Sequence, residues 1–590
     1  MTAQLPARGR PRKHRRRRVR TKALVLLAVT ASLLLFVGRG TAQVLATFSC
    51  SDHPVLLHVA ASPDIAPAID QIANAFTREH RQVDGRCVTV QVDAVPSSVA
   101  TGVVDGQHPV PGQGAIDAWI PDSSLWVDEA RGFAVGAQTV QPAGFSVARS
   151  PLMLVMPAAA AARTAAFAGA GWRLLLPRAA GGPAVPRALR VDLPDPAQSA
   201  VGLAALIEVT RLLGPDPAGQ VNFTKFVYSC SVTPSFDNPA SLASFVSQAA
   251  PPLDGMPVTV ASEQAVIAYD EANPRHPLAA RYPGGSSPLL GSPELDYPYV
   301  LTTDNPIQLD AAGAFGQMLR GRYAAAVIRY AGFRSGDGAV DAVPATFGLG
   351  EQLLQPAPPA SPTEAAVTLR AWQKLALESR DLTLLDVSGL MARPAAPGGP
   401  TIEQAMTRTA TLGLGLFPDG ASIGLWEFAA SLGHGLPYKQ LVSIGPLSAP
   451  LGLNLTRRAE LARVNAGVTP AAGQGAALYG SILAGYTYML RTWQPQYYNA
   501  LIVLTAGVEN APGDITARRL IARLSRLASP SRPVAIVIVV FGDPPDFPYL
   551  QRIAAATGGQ AYEITNPAQV GKVFFQAIAH RLCSVGCVRA

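Results

Sequence analysis

Short apolar segments recur in the first half of the chain, and each is followed by a turn that contains serine and then by a helical repeat. The clearest are residues 55–60, 88–93 and 116–121. Strand, turn and helix in repetition predict a parallel α/β sheet. Ligands of such sheets bind at the carboxyl ends of the strands, so the serine-bearing turns are the first place to expect a binding site.

The helix after the first of these strands has one apolar face. Ser62 is a favourable N-cap and Pro63 fits the first helical position, so the pattern predicts a helix that starts there. Its apolar side chains recur at helical spacing and are Ile65, Ile69, Ile72 and Phe76.

The chain after residue 380 has longer apolar strands with helices between most of them. Six strands are predicted, at residues 382–385, 423–428, 441–444, 500–505, 534–541 and 562–564. Strands that are apolar throughout are typical of a parallel sheet covered on both faces. One helix opens with Thr401 and Gln404, which can form a capping box. Before this region, residues 355–363 are rich in proline and predict a stiff extended linker.

The N-terminus combines a basic block with an apolar segment. Residues 1–22 contain ten Lys or Arg and no acidic residue, and residues 23–38 carry no charge. A helix over residues 23–38 would be about 24 Å long, slightly less than the ~30 Å hydrocarbon layer of a bilayer. The positive-inside rule then predicts a single-pass signal anchor in the cell membrane, with residues 1–22 in the cytoplasm and the bulk of the chain outside.

Two other interpretations of the N-terminus stand beside the anchor. The apolar segment could belong to a signal peptide cleaved near the small residues 40–42, and the basic run alone could be a nuclear targeting signal. Because residues 1–22 hold ten of the 48 basic residues, the rest of the chain carries 38 basic residues against 40 acidic ones. Domains that bind nucleic acid carry their own basic surface, so the composition argues against a nucleic-acid partner.

The five cysteines fit an exported protein. Cys50 and Cys87 flank the first strand and helix and are predicted to pair, Cys583 and Cys587 are predicted to close a small terminal loop, and Cys230 is left over. No Cys or His spacing is typical of a zinc site, and no known nucleophile motif or phosphate-binding loop occurs. The sequence therefore predicts no catalytic residue and no cofactor.

The first half of the chain resembles the type-2 periplasmic solute-binding proteins, most of all those that bind oxyanions. The resemblance covers residues 48–350 as two lobes and rests on Ala60-Ala61-Ser62, Ser97-Ser98, Asp117-Ala118-Trp119-Ile120 and Val258-Thr259-Val260-Ala261-Ser262. In that family, serine hydroxyls and helix N-terminal amides hold a small anion in the cleft. The resemblance implies Ser62, Ser97 and Ser98 as ligand contacts; the alternative is that such serines only cap helices.

Residues 380–582 resemble von Willebrand factor A-type domains. The matching loops are Asp386-Val387-Ser388-Gly389-Leu390, Gly473-Gln474-Gly475-Ala476 and Leu504-Thr505-Ala506-Gly507. In that family, five oxygen-bearing side chains of these loops hold a Mg²⁺-like ion, which needs hard ligands in octahedral geometry. Here Asp386 and Ser388 keep the oxygen, whereas Leu390, Ala476 and Ala506 have lost it. The resemblance therefore implies a vestigial site without a bound metal.

These features predict an exported bacterial protein of actinobacterial type, anchored in the membrane. Its α/β fold would comprise a two-lobed solute-binding-like domain, a doubly wound and mostly parallel A-type domain, and a cysteine-containing tail at residues 583–590. The predicted function is non-enzymatic recognition of a protein or envelope polymer at the cell surface. The alternative is capture of a small ligand, an anion for example, in association with transport.

Overall fold

The structure is a computed structural model, and it describes residues 53–582 apart from gaps at 105–114, 185–188, 234–238, 249–255, 284–291, 340–355, 396–397, 433–434, 453–454, 543 and 545. The predicted anchor at residues 23–38, the basic block before it and the tail at residues 583–590 lie outside the described residues. Within the described ranges, no helix is both long and apolar enough to cross a membrane.

Six strands form the sheet of the first lobe, and they are β1 (Val55–Ala61), β2 (Gln82–Val83), β3 (Arg86–Ala94), β4 (Ala118–Ile120), β5 (Gln141–Ser146) and β12 (Pro298–Leu301). Their spatial order is β2-β3-β1-β4-β12-β5. Strands β3, β1 and β4 are parallel, as the repeat of strand, turn and helix predicts, whereas β12 is antiparallel to both of its neighbours. The helices of this lobe are α1 (Ala66–Arg78), α2 (Ser97–Val104), α3 (Ser124–Arg131), α4 (Gly136–Thr139), α10 (Pro306–Leu319) and α11 (Arg322–Tyr330).

The predicted start of helix α1 is wrong by three residues. The helix begins at Ala66 rather than at Pro63, and Ile65 occupies the N-cap position without a side-chain cap. Pro67 explains the difference, because a proline has no N–H to donate and is tolerated only in the first turn of a helix. Ser62 therefore lies in a turn before the helix, where its carbonyl accepts from the amides of Ile65 and Ala66 at 3.1 and 2.9 Å.

The second lobe is built on a seven-stranded mixed sheet. Its strands are β6 (Ala148–Pro157), β7 (Leu189–Pro194), β8 (Cys230–Thr233), β9 (Met256–Ser262), β10 (Leu278–Arg281), β11 (Glu294–Leu295) and β13 (Arg334–Ser335). Its α-helices are α5 (Ala158–Thr164), α6 (Ala200–Leu213), α7 (Pro217–Ser229), α8 (Pro239–Gln248) and α9 (Glu263–Ala272), joined by 3₁₀ turns at Ala165–Leu175 and Arg178–Ala180. Serines cap two of these helices, since Ser199 before α6 and Ser262 before α9 accept from the amides of Gly202 and Ala265.

The chain crosses between the lobes three times, before β6, before β12 and before β13. Strand β5 ends at Ser146 and β6 begins at Ala148, so a single residue, Val147, forms the first crossing. The amide of Val147 donates to the carbonyl of Tyr297 at 2.9 Å, which pairs this crossing with the return crossing before β12. The first two crossings therefore lie side by side.

The C-terminal domain has the predicted central sheet, with helices on both faces. Its strands are β14 (Ser379–Asp386), β15 (Ser422–Leu432), β16 (Leu436–Pro446), β17 (Tyr498–Thr505), β18 (Ala535–Phe541) and β19 (Gln560–Ile564). The order is β16-β15-β14-β17-β18-β19, and every pair is parallel except β15 with the edge strand β16. The helices are α12 (Pro362–Ala376), α13 (Ile402–Leu414), α14 (Arg457–Ala466), α15 (Leu478–Arg491), α16 (Ala517–Leu527), α17 (Phe547–Ala555) and α18 (Val570–Ala579), with 3₁₀ turns at Gly389–Ala392, Pro567–Gln569 and His580–Leu582.

Alternation along the strands gives the C-terminal domain two cores. Leu382 and Leu384 of β14 belong to the core under α15, α16 and α17, whereas Leu385 belongs to the core under α13, α14 and α18. The predicted capping box at the start of α13 is confirmed, because Thr401 and Gln404 each accept from the other's backbone amide at 3.2 Å. The sheet is therefore buried on both faces, as its continuous apolar strands predict.

Helix α12 fixes the C-terminal domain to the two lobes. It packs against α3 of the first lobe and against α6 and α7 of the second, and its Trp372 and Leu375 are buried in the same core as the lobes. The predicted linker does not stand free as a spacer: the carbonyls of Pro358 and Pro359 accept from Arg211 at 2.9 and 3.3 Å. Residue 355 of that segment lies outside the described residues.

Arg211 is the centre of the contact between the linker and the second lobe. Its guanidinium donates to Glu364 of α12 at 2.7 and 2.9 Å and to Glu208 of α6 at 2.6 Å. The side chain of Glu208 is only 1% exposed, and its burial raises the pKa of its carboxyl. Arg211 thus neutralises a carboxylate that has almost no access to water.

The cysteine predictions are tested in part. Cys87 is disulfide-bonded, but Cys50, its predicted partner, and Cys583 with Cys587 lie outside the described residues, so both pairings stay predictions. Cys230 is a free thiol at the start of β8, and its burial raises its pKa.

Replacing Arg211 by Met should destabilise the protein by about 3–5 kcal/mol, because it leaves Glu208 buried without a counter-charge. The midpoint of urea unfolding, followed by tryptophan fluorescence, measures this loss. The matched control is Arg463→Met, which removes the same kind of i,i+3 pair from Glu460 at a site where the arginine side chain is 70% exposed, and it should leave the midpoint almost unchanged. Equal shifts in the two variants would contradict this account of Arg211.

Candidate functional site

The three predicted ligand serines lie at the carboxyl edge of the first sheet. The amide of Ser62 donates to the carbonyl of Ile120 at 2.9 Å, and the hydroxyl of Ser97 accepts from the amide of Asp122 at 3.0 Å. Ser62 and Ser97 are buried and Ser98 is partly buried. The structure therefore brings Ser62 and Ser97 to neighbouring strand ends, but it commits the Ser97 hydroxyl to the loop after β4.

Three carboxyl groups share this edge, and sequence reasoning missed all of them. Asp64 accepts from the hydroxyl of Tyr297, and Asp296 accepts from the amide of Ser124 at 2.7 Å. Burial, and after it the nearby charge of Asp64, raise the pKa of Asp122 to about 7. The sequence feature that could have identified this group is a carboxyl side chain just after a strand, as Asp122 is after β4.

A cavity of about 650 Å³ lies beside the crossing between the lobes. Arg149, at its wall, pairs with Glu294 at 3.1 Å and donates to the carbonyl of Gly336 at 3.0 Å. Its other polar lining residues are Ser124, Ser146, Asp296, Arg320, Ser335 and Asp337. The lining therefore combines both signs of charge without an excess of cations.

Helix α12 also reaches the ligand edge of the second lobe. The indole of Trp372 donates to Asp195 at 3.0 Å, and Asp195 directly follows β7, whose carboxyl end corresponds to the ligand side of the sheet. The same oxygen, Oδ1, also accepts from the amide of Ala197, and Oδ2 accepts from the side chain of Gln198. Trp372 of helix α12 therefore lies at the carboxyl end of β7.

In the C-terminal domain, the three loops of the vestigial metal site do come together. The amide of Gly389 donates to the carbonyl of Gln474 at 3.0 Å, and Asp386 accepts from the hydroxyl of Thr505 at 2.7 Å. Asp386 also accepts from the amides of Ser388 and Ala506 at 2.9 and 3.4 Å. Both carboxylate oxygens therefore have protein donors.

The surroundings of Asp386 offer a cation few ligands. Asp386 and Ser388 are fully buried, and the facing positions are the buried methyl groups of Ala476 and Ala506. Burial raises the pKa of Asp386, because desolvation disfavours its charged form. Among the described residues, no group of three or more His, Cys, Asp or Glu side chains could hold a metal ion.

The loop after β17 adds carboxylates that sequence reasoning missed. Helix α15 starts behind Ala477, which has a φ of 45° and no side chain to cap the helix. Instead, Glu509 accepts from the amide of Tyr479 at 3.2 Å, and Asp514 accepts from the amide of Gly480 at 3.0 Å. Negative groups at a helix N-terminus are stabilising, so these carboxylates supply the cap that Ala477 lacks.

Glu509 and Asp514 also act on each other. Burial and a hydrogen bond to Asp514 raise the pKa of Glu509 to about 7, and the amides of Ala511 and Tyr479 offset this only in part. The protonated Glu509 can donate to Asp514 while it still accepts from the helix. The sequence feature that could have indicated these carboxylates is the pair Ala476 and Ala477 before an apolar helix, because alanine cannot cap a helix and a cap from elsewhere is then needed.

Mn²⁺ should not bind the natural full-length chain at micromolar concentration in isothermal titration. The Leu390→Ser, Ala476→Thr, Ala506→Asp variant restores three oxygen ligands around Asp386 and should bind. Adding Asp386→Asn to that variant should abolish its binding. Micromolar binding by the natural chain that Asp386→Asn removes would show that the site still holds a metal.

The pKa of Glu509 predicts a pH dependence of stability. A folded-state pKa near 7, above the ordinary value near ~4.3, means that the folded state holds the proton more tightly than the unfolded state does. The resulting stabilisation is present below the unfolded pKa and is lost as pH rises through 7. Thermal melts from pH 5 to 8 should show a smaller fall in Tm for Glu509→Gln than for the natural chain.

The exposed Glu563 provides the control for this experiment. Glu563→Gln should keep the natural pH profile, because this side chain lies at the surface. A Glu509→Gln pH profile that matches the natural one would contradict the assignment of this pH dependence to Glu509.

Comparisons with known proteins agree with the two-lobed module. Residues 57–334 match the family model described as bacterial extracellular solute-binding protein. The chain is also 24% identical over 550 residues to the uncharacterized protein Rv1836c of Mycobacterium tuberculosis, a match that covers 86% of this chain and 74% of that protein.

The solved structures with similarity fall into two groups. Iron-bound HitA from Pseudomonas aeruginosa has 12% identity and a TM-score of 0.39, covering 55% of this chain and 100% of that one. A von Willebrand factor type A protein from Catenulispora acidiphila has 18% identity and a TM-score of 0.25, covering 35% of this chain and 43% of that one. The family match supports a solute-binding-like module over residues 57–334, and the strand order of the C-terminal sheet agrees with the predicted doubly wound α/β domain.

Proposed function

We propose that this protein is an exported, non-enzymatic recognition protein, anchored in the cell membrane by residues 23–38, which binds a protein or an envelope polymer. The observation that carries the proposal is the position of helix α12, which packs against both lobes and leads directly into the C-terminal domain. The solute-binding-like module then serves as a rigid support, and the C-terminal domain presents the recognition surface.

The physical argument concerns motion between the lobes. Solute receptors close around their ligands by a hinge movement of one lobe against the other. Here α12 contacts α3 in one lobe and α6 in the other, so a hinge movement would have to break one of these contacts. Trp372 adds a hydrogen bond to Asp195 at the ligand edge of the second lobe. A support with fixed lobes suits recognition better than capture.

The N-terminal sequence supports the location. Ten basic residues followed by sixteen uncharged ones favour, by the positive-inside rule, a location of the bulk of the chain outside the membrane. The disulfide at Cys87 suits an oxidising compartment.

Capture of a small solute is the second candidate, and the family match over residues 57–334 favours it. The cavity of about 650 Å³ beside the crossing could hold a small molecule. Because Asp64, Asp122 and Asp296 share the neighbouring edge, the ligand of such a site would be neutral or cationic rather than an anion.

Recognition predicts that the full-length chain in detergent co-sediments with purified mycobacterial cell-wall polymer. It also predicts that phosphate, sulfate, glucose or arginine leaves its Tm unchanged. A solute at 100 times its Kd would add roughly 2.7 kcal/mol and raise the Tm by several degrees. The matched variant is Trp372→Phe, which keeps the aromatic ring and loses the donor to Asp195.

The two candidates give opposite results in this experiment. Under recognition, Trp372→Phe binds the polymer as the natural chain does and gains no solute response. Capture would instead be supported by a saturable solute-dependent Tm shift that grows in Trp372→Phe, together with absent sedimentation.

A further inference from the structure

A cavity of about 140 Å³ lies inside the C-terminal domain, on the face of the sheet covered by α13, α14 and α18. Its walls come from four adjacent strands, β15, β14, β17 and β18, and from these three helices. The apolar walls include Leu425, Ile502, Val539, Val573 and Phe574. The cavity is separate from the vestigial metal loops and from the cleft between the lobes.

Two polar side chains interrupt these apolar walls, and each has an unmatched oxygen. Asp381 is 1% exposed and Asn465 is 4% exposed. Within the described part of the chain, the Oδ1 atoms of both are buried without a hydrogen-bond partner. The amide nitrogen of Asn465 is already used, since it donates to the carbonyl of Thr407 at 2.9 Å and to the hydroxyl of Thr411 at 3.0 Å. The walls of the cavity therefore contain two hydrogen-bond acceptors that lack a donor.

A buried acceptor without a donor is costly, so native proteins usually satisfy such groups with protein, water or ligand. The size of the cavity decides whether water or a ligand supplies the missing donor. A cavity of about 150 Å³ lined by Leu, Ile and Phe stays dry and binds benzene. This cavity has a similar volume and similar walls, with acceptors added. It fits an apolar molecule that brings its own donor.

The charges near Asp381 select a neutral ligand. Arg581 stands at the same end: its guanidinium lies 3.9 Å from the centre of the Tyr498 ring and donates to Ser379 at 2.6 Å. Burial raises the pKa of Asp381 to about 7, and Arg581 offsets this in part. A carboxylate ligand would meet Asp381, whereas an ammonium would meet Arg581, so a hydroxyl suits this end better than either ion.

We infer that the cavity behind β14 is a binding site for a small neutral amphiphile, with an apolar body of roughly six to eight carbon atoms and a hydroxyl group that donates to Asp381. This inference goes beyond recognition at the surface, and it stands whether or not that proposal holds.

The position of the site connects its occupant to the contact between the domains. Phe574 of α18 lines the cavity, and its ring also packs edge-on against Tyr228 of the second lobe at 6.2 Å. Arg581 likewise lines the cavity and donates to the Tyr228 hydroxyl at 3.5 Å. A molecule in the cavity therefore touches side chains that hold the two domains together.

The test is isothermal titration of the full-length chain with three matched probes: p-cresol, toluene and p-toluate. We expect p-cresol to bind saturably, toluene to bind at least tenfold more weakly because it lacks the donor, and p-toluate not to bind. In Asp381→Leu, the preference for p-cresol over toluene should fall to within threefold.

A cavity-filling variant locates the binding. Ala410 lines the cavity on α13, and Ala410→Leu should abolish p-cresol binding, whereas Ala555→Leu at an exposed position of α17 should leave it unchanged. Absence of p-cresol binding to the natural chain would overturn the inference, as would equal binding to Ala410→Leu or an unchanged preference in Asp381→Leu. If Ala410→Leu does not fold, the Asp381→Leu result decides alone.

Discussion

The arrangement of this protein depends on the neutralisation of one buried carboxylate. Glu208 lies inside the second lobe with almost no access to water, and Arg211 supplies its counter-charge. The same guanidinium holds Glu364 and the linker carbonyls, so the group that stabilises the lobe also fixes helix α12. An ion pair of this kind is costly to break, because each partner would be left charged in a poorly solvated place. The docking of the C-terminal domain is therefore tied to the stability of the lobe itself.

The C-terminal domain keeps its doubly wound α/β fold although its loops lack most of the oxygen ligands of the predicted metal site. Asp386 keeps its position because Thr505 and two backbone amides donate to it, so its local geometry does not depend on an ion. Nearby, Glu509 and Asp514 cap a helix whose own N-cap residue is alanine. This edge of the sheet is held together by hydrogen bonds within the chain. Its fold is carried by the two apolar cores on either side of the sheet.

The sequence predicted the elements whose signal is local and apolar. The strand expected at residues 534–541 is Ala535–Phe541, because a continuous apolar run leaves little choice of boundary. The strand expected at residues 382–385 is longer, Ser379–Asp386, because it begins with charged residues that look exposed. Arg380 is in fact buried and donates to Asn499 and Thr492. These hydrogen-bond partners are distant along the chain, so no local sequence pattern predicts them.

The candidate sites divide in the same way. The vestigial metal loops were recognisable because three short motifs recur at known places, and the structure brings those loops together around Asp386. The carboxyl groups near Ser97 and the cavity beside Asp381 were not recognisable, because they depend on which strands and helices become neighbours. The linker was predicted as a spacer because its proline content is visible, whereas its attachment to Arg211 is not.

The short distance between helix α12 and strand β14 has a mechanical consequence. Only Leu377 and Glu378 separate the end of the helix from the first strand of the C-terminal domain. With so little slack, a pull on the C-terminal domain is transmitted at once to α12 and from there to both lobes. The two lobes and the C-terminal domain therefore respond to such a pull as one unit.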